Sequence, residues 1–172
     1  MRWLCTSRHG ESIPQLKRGL NVRKDNKESS AQQRRDTYAY IVGMPTRWMD
    51  NDIYGHVNNV VYYSYFDTTA NCYLIEEGGL NIQAAEIIAF VVNSNCEYHA
   101  PVAYPDELEG ALRVSKLGNS SVTYELAIFK RGSDFAVAAG SFTHVFVNRQ
   151  SGKATPIPQR IREALQRAIM PS

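Results

Sequence analysis

The stretch MDNDIYGHVNN, residues 49–59, gathers Asp50, Asp52, His56, Asn58 and Asn59 around Gly55 within eleven positions. Carboxylates at this density bind cations, build polar turns or move protons, and each reading demands a different spacing. Asp50, Asp52 and Gly55 fit positions 1, 3 and 6 of an EF-hand calcium loop, but Tyr54 stands at position 5 and Val61 where the bidentate glutamate belongs. Zinc needs more His, Cys or carboxylate ligands than Asp52 and His56 supply locally. A plain turn uses the Asp, Asn and Gly residues, with Asn58 capping a following helix, yet it leaves a second carboxylate and His56 without a task. Acyl chemistry uses that geometry directly. Backbone N–H groups opening a helix near Asn59 and Val60 can hold a developing oxyanion, each such donor being worth about 2.7–4 kcal/mol. A carboxylate seven residues upstream, ionised at neutral pH, can attack the acyl carbon or deprotonate a water. Asp50 is read as a turn residue paired with Arg47.

The surrounding elements must position that cluster. TYAYIVGMPTRW (37–48) reads as a first strand, interrupted and bulged at Gly43 and Pro45. NNVVYYSYFDTTANCYLIEEGG (58–79) fits a helix capped by Asn58 and stopped by Gly78 and Gly79. Val61, Tyr62, Tyr65, Phe66, Thr69, Cys72, Tyr73 and Leu74 cover so much of its circumference that it is expected to be largely enclosed. Four strands follow, at about 87–99, 107–117, 121–131 and 135–148, with turns at GNSS, RGSD and RQSGK. Val122, Tyr124, Leu126 and Ile128 alternate with Thr123 and Glu125, as on a one-face-buried strand. His99 and His144, both on expected strands, read as satisfied structural histidines. PQRIREALQRAIM closes the chain as a short amphipathic helix. The order implies an α+β domain, an antiparallel meander of four strands and one further strand wrapping a single helix. Its unpaired edges call for cover, most simply by dimerisation edge to edge.

Composition narrows the function. The chain has 172 residues, 44% hydrophobic and 21% charged, which suits one globular domain at 37–172. Cys5, Cys72 and Cys96 are an odd number with no CxxC pair, so reduced thiols and a cytoplasmic setting are expected, with Cys72 and Cys96 buried. Residues 1–35 carry nine Lys or Arg against three acidic residues, a net of +6 that leaves −4 for the remainder. This low-hydropathy segment, 1–36, is read as a flexible basic extension. It lacks the apolar core of a secretory signal, and no stretch approaches the eighteen apolar residues of a membrane span. Nucleic-acid binding is not expected.

The segment DNDIYGHVNNVVYYSYFD, with the element order of about 37–150, resembles the hotdog-fold acyl-CoA thioesterases of the 4-hydroxybenzoyl-CoA thioesterase-like family. HVNN is most similar to the long-chain acyl-CoA and plant acyl-ACP branches. The resemblance implies a five-stranded antiparallel sheet wrapped around one long central helix. It implies hydrolysis of an acyl-CoA thioester, no metal or organic cofactor, and a homodimer or homotetramer. Asp52 then stands as nucleophile or general base, His56 orients acyl group or water, and Asn59 supplies the oxyanion N–H. Tyr54, Gly55 and Asn58 line the substrate, while Lys116, Asn119 and Ser120, in KLGNSS, face the nucleotide end of coenzyme A. One departure is plain: the acyl-ACP branch carries a catalytic asparagine where this chain has Tyr54. Asp67, Glu76 and Glu77 are the candidates for an additional glutamate-type role. A hotdog hydratase acting on enoyl-CoA, and a subunit that binds acyl-CoA or an acyl carrier without turnover, are the alternatives.

Overall fold

The computed structural model describes residues 33–170. Residues 1–32 of the expected basic extension, with Cys5, lie outside the described residues. The chain runs through β1 (Tyr40–Pro45), α1 (Asn59–Glu76), β2 (Ile87–Tyr98), β3 (Glu107–Leu117), β4 (Ser121–Lys130), β5 (Ala136–Asn148) and α2 (Gln159–Arg167), with 3-10 turns at Arg35–Thr37 and Trp48–Asp50. All five strands are antiparallel in one sheet ordered β1-β3-β4-β5-β2.

That order corrects the simple meander. β3, β4 and β5 are sequential neighbours, but β2 pairs with β5 and forms the far edge. Tight hairpin turns force neighbours to pair. Residues 99–106 between β2 and β3 are instead an eight-residue irregular connection, long enough to cross to the other side of the sheet. The expected bulge in β1 is also absent: its register with β3 runs unbroken from Tyr40–Leu112 to Pro45–Glu107. Pro45 is tolerated because β1 is an edge strand and ends there.

α1 begins and ends where its sequence dictates. The Asn58 side chain accepts the Val60 N–H, and the chain leaves the helix through Gly79 at φ +66°. Tyr62, Tyr65, Phe66, Thr69, Ala70, Tyr73 and Leu74 recur at three- and four-residue spacing, and all are buried. They pack on the inward residues of the sheet, among them Val122, Leu126 and Ile128 of β4 and Phe142 and Phe146 of β5. Each fully buried side chain of this size stabilises the fold by about 1.5–3 kcal/mol. Gly110 of β3 lets the helix approach, since a Cβ there would collide with the Thr69 hydroxyl.

Within the chain α1 is covered on one face only. Ser64, Asp67 and Thr68 face outward and Val61 and Cys72 are half-buried, so the helix lies across a curved sheet instead of being enclosed all round. Cys72 and Cys96 are free thiols and half-buried, one on the helix flank and one on the edge strand, which corrects the expectation of full burial. α2 buries Ile161, Ala164 and Leu165, and the Tyr73 hydroxyl donates to the Ala164 carbonyl. Among the described residues no helix is long and apolar enough to cross a membrane. Five antiparallel strands over one long helix is the hotdog arrangement that the resemblance implies.

Candidate active site

The polar cluster forms two successive structures. In the first, Asp50 closes the 3-10 turn after Arg47: its Oδ2 accepts the Arg47 N–H at 2.7 Å and its Oδ1 meets the Arg47 guanidinium at 3.0 Å. The Tyr65 hydroxyl donates to the same Oδ2 at 2.7 Å from inside α1. Asp50 is 1% exposed. Burial opposes its charge, but the bonds from Tyr65 and Arg47 outweigh it and hold the carboxyl below the usual carboxylate range. A carboxylate committed in this way is structural, as its pairing with Arg47 leads one to expect.

The second structure is the loop that carries Asp52 and His56. The Asp52 N–H donates to the His56 carbonyl at 2.9 Å, the Gly55 N–H donates back to the Asp52 carbonyl at 3.1 Å, and Gly55 takes φ +84° to close the turn. A bridge between Asn51 and Val57 seals its base, and the Val57 N–H bonds the Val102 carbonyl at 2.8 Å. The loop backbone is therefore fixed. Asp52 uses Oδ1 to accept the Tyr54 N–H at 2.8 Å, and its Oδ2 has no partner among the described residues.

A cleft of ≈ 380 Å³ is lined by Asp52, His56, Val57 and Asn59 from the loop and helix entry on one wall, by Tyr98, His99, Ala100 and Pro101 from the end of β2 on the other, and by Tyr62 of α1. The Tyr98 hydroxyl bridges the walls by donating to the Asn59 carbonyl at 3.0 Å. Asn59 is the first helical residue, so its N–H has no intrahelical acceptor. No other described residue accepts it either. A half-buried carboxylate, a free amide at the positive end of a helix and two imidazoles thus share one cleft, a donor set suited to activating water and holding a developing oxyanion. Among the described residues no three His, Cys, Asp or Glu side chains converge as a metal site, and Asp50 is withdrawn into its ion pair.

The remaining candidates are placed elsewhere. Tyr54 and Gly55 form the exposed tip of the loop, and Asn58 caps α1. Lys116, Asn119 and Ser120 lie at the β3–β4 hairpin, outside the cleft lining. The Asn119 carbonyl accepts Arg162 and the Ile157 N–H, tying the hairpin to the C-terminal segment. Glu76 accepts the Tyr40 hydroxyl and Glu77 pairs with Arg167 at the opposite end of the helix, whereas Asp67 is exposed.

Two histidines depart from expectation. His144 is structural in position, 2% exposed, but it is not satisfied: both ring nitrogens lack a partner among the described residues. The β5 alternation points it inward between Phe142 and Phe146, and burial pushes its imidazole down to about 4. His99 lies just past the end of β2, exposed and in the cleft. Element lengths could have located it. α1 spans 18 residues, about 27 Å, and the 12 residues of β2 return about 40 Å, so the end of β2 must reach the beginning of the helix.

Comparison with known proteins agrees with this reading of the fold. Long-chain acyl-CoA thioesterase FadM of Escherichia coli is 27% identical over 119 residues, which cover 69% of this chain and 90% of that one. The solved PA5185 protein of Pseudomonas aeruginosa is 55% identical at a TM-score of 0.79, over 80% of this chain and 96% of that one. A 1,4-dihydroxy-2-naphthoyl-CoA thioesterase from Synechocystis is 18% identical, and its TM-score of 0.67, over 74% of this chain and 95% of that one, supports the shared fold. The sequence profile of the Thioesterase-like superfamily matches residues 46–165, from the anchor of the 3-10 turn to the last turns of α2, and the chain belongs to that superfamily.

Proposed function

We propose that the protein hydrolyses an acyl-CoA thioester to the free acid and coenzyme A, with Asp52 as nucleophile or general base and the Asn59 N–H as oxyanion donor. The observation that carries this is the pairing of the uncommitted Asp52 oxygen with an unbonded helix N–H on one wall of one cleft. His56, on the same wall, is free to orient the acyl group or the water. The superfamily supports the reaction class, and the relative named for long-chain acyl-CoA hydrolysis supports the substrate class. Lys116 is exposed, which suits contact with a phosphate of the coenzyme.

Thioester cleavage, followed as free thiol released from a panel of short, long and aromatic acyl-CoA substrates, tests the reaction. A hydratase would add water to an enoyl-CoA and release no thiol. Asp52→Asn should lower kcat by about 100-fold or more, whereas a binding subunit would lose nothing. Label recovered in the protein after a single turnover in H2(18)O assigns the attack to the Asp52 carboxylate, because general-base catalysis places label only in the product acid.

The oligomer belongs to the same proposal. β2 is an edge strand, and Phe90 and Val92 are 54% and 60% exposed along it. Edge pairing with a second copy would cover both its backbone groups and these side chains. Light scattering on the purified chain checks for at least a dimer.

A further inference from the structure

The two walls of the cleft differ in chemistry. The carboxylate, one imidazole and the free helix N–H stand on the wall made by the loop and α1. The wall after β2 carries two polar side chains, Tyr98 and His99. The Tyr98 hydroxyl is engaged with the Asn59 carbonyl. His99 is not: its imidazole has no hydrogen bond or ion pair among the described residues. Its backbone is nevertheless held, since the His99 and Ala100 N–H groups both donate to the Val137 carbonyl, at 2.8 and 3.0 Å. A fixed backbone that presents an uncommitted imidazole to a cleft is arranged to meet a ligand.

We propose that His99 is the proton donor to the departing thiolate. This rests on the thioesterase reading above and assigns a step which that reading leaves without a residue. In the tetrahedral adduct the oxyanion faces the Asn59 N–H and the attacking oxygen lies on the Asp52 side. The two remaining substituents, the acyl chain and the sulfur, point away from that wall. In this assignment the acyl chain runs toward Tyr62 and the sulfur toward His99, both of which line the cleft.

With water as nucleophile, one water proton passes to the Asp52 carboxylate as the C–O bond forms. The C–S bond then breaks with its electron pair on sulfur, and sulfur takes the proton of the His99 imidazolium. His99 regains a proton from solvent and Asp52 returns one to it, so that thioester and water give acid and thiol. An imidazole suits this step because it exchanges protons near neutral pH.

Leaving-group dependence tests the assignment. An alkyl thiolate such as pantetheine, whose thiol titrates near the cysteine value of about 8.5, gains from protonation, whereas an aryl thiolate leaves without it. Wild type, His99→Gln and Asp52→Asn are compared on the pantetheine and thiophenyl thioesters of one acid. His99→Gln should lose about tenfold or more in kcat on the pantetheine ester and less than about twofold on the thiophenyl ester. Added imidazole should restore His99→Ala on the pantetheine ester only. Equal loss on both esters, or none, overturns the proposal. Asp52→Asn should fail on both esters. If it does while His99→Gln keeps both, only the His99 assignment falls. If the wild type cleaves neither ester, both readings fall. Because His99 is exposed and unbonded, its variants should match the wild-type melting temperature, and that measurement accompanies the kinetics.

Discussion

The turn ending at Asp50 and the loop beginning at Asp52 are adjacent in sequence and opposite in use. Asp50 is buried with three donors on its oxygens, and its carbonyl accepts the Asn58 N–H at 2.8 Å, which fixes the entry to α1. Asp52 accepts one N–H and leaves an oxygen in an open cleft. The same side chain two positions apart is thus a fastening in one place and, in the proposed reaction, a reagent in the other. What separates them is the number of donors the fold supplies. A fully satisfied carboxylate is held ionised but has nothing left to offer a ligand, and a carboxylate left short of partners is available only because its neighbour holds the loop still.

Substitution should split the pair. The largest effect is expected from Asp52→Asn, a loss of about 100-fold or more in kcat with a melting temperature close to wild type. Asp50→Ala should do the reverse. It leaves the Tyr65 hydroxyl and the Arg47 N–H without their acceptor and removes a nearly buried ion-pair partner, costing about 2–4 kcal/mol of stability. Urea unfolding of both variants beside thiol-release assays checks this. Equal damage to activity and stability in either variant would break the comparison.

The sequence made one half of this arrangement readable and hid the other. Asn58, Gly78 and Gly79 mark the ends of α1 through capping and φ preferences that act within a few residues. The alternation of Val122, Tyr124, Leu126 and Ile128 likewise reports the buried face of β4, where all four are buried. The pairing of Asp50 is local too, since Arg47 is three residues away. Strand order is not local: β2 finds β5 about fifty residues away, and nothing in either strand names its partner. His99 was misplaced for the same reason, because its place in the cleft depends on where β2 ends relative to α1. His144 shows a different limit, as alternation predicts that it points inward but not that its surroundings lack an acceptor.

Acid should sharpen the contrast between held and unsatisfied groups. Asp50 is a paired carboxylate with a lowered folded pKa, so its contribution is present above the ordinary carboxylate value of 3.8 and is lost as pH falls through the lower folded one. His144 is a base kept neutral by burial, at about 4 against 6.5 when free. The unfolded chain binds the extra proton between those values, so stability is full above pH 6.5 and falls by about 3 kcal/mol at most on descending to pH 4. His144→Phe should flatten that upper window and leave the lower one to Asp50. Urea midpoints at intervals from pH 7.5 down to about pH 2 follow both, and an unchanged slope in His144→Phe would mean that the imidazole is not the group responsible.

The smallest expected effect isolates the helix end, where the Asp50 carbonyl accepts the Asn58 N–H and Asn59 joins Asp52 in the cleft lining. The Asn58 side chain accepts the Val60 N–H at 3.2 Å, so Asn58→Ala removes a cap and should cost about 1 kcal/mol. Asn58→Asp should keep the cap and gain slightly from negative charge at the helix N-terminus. Yet it sets a third carboxylate beside the amide proposed to receive the oxyanion, and two negative charges there oppose each other. Melting temperature and kcat are then expected to move in opposite directions: unchanged or higher stability with a several-fold slower turnover in Asn58→Asp, and lower stability with nearly normal turnover in Asn58→Ala. A substitution that stabilises the helix and slows the reaction would place the oxyanion at that helix end more directly than removal of Asp52 can, because Asp52→Asn reports the attacking side of the carbon and Asn58→Asp reports the receiving side.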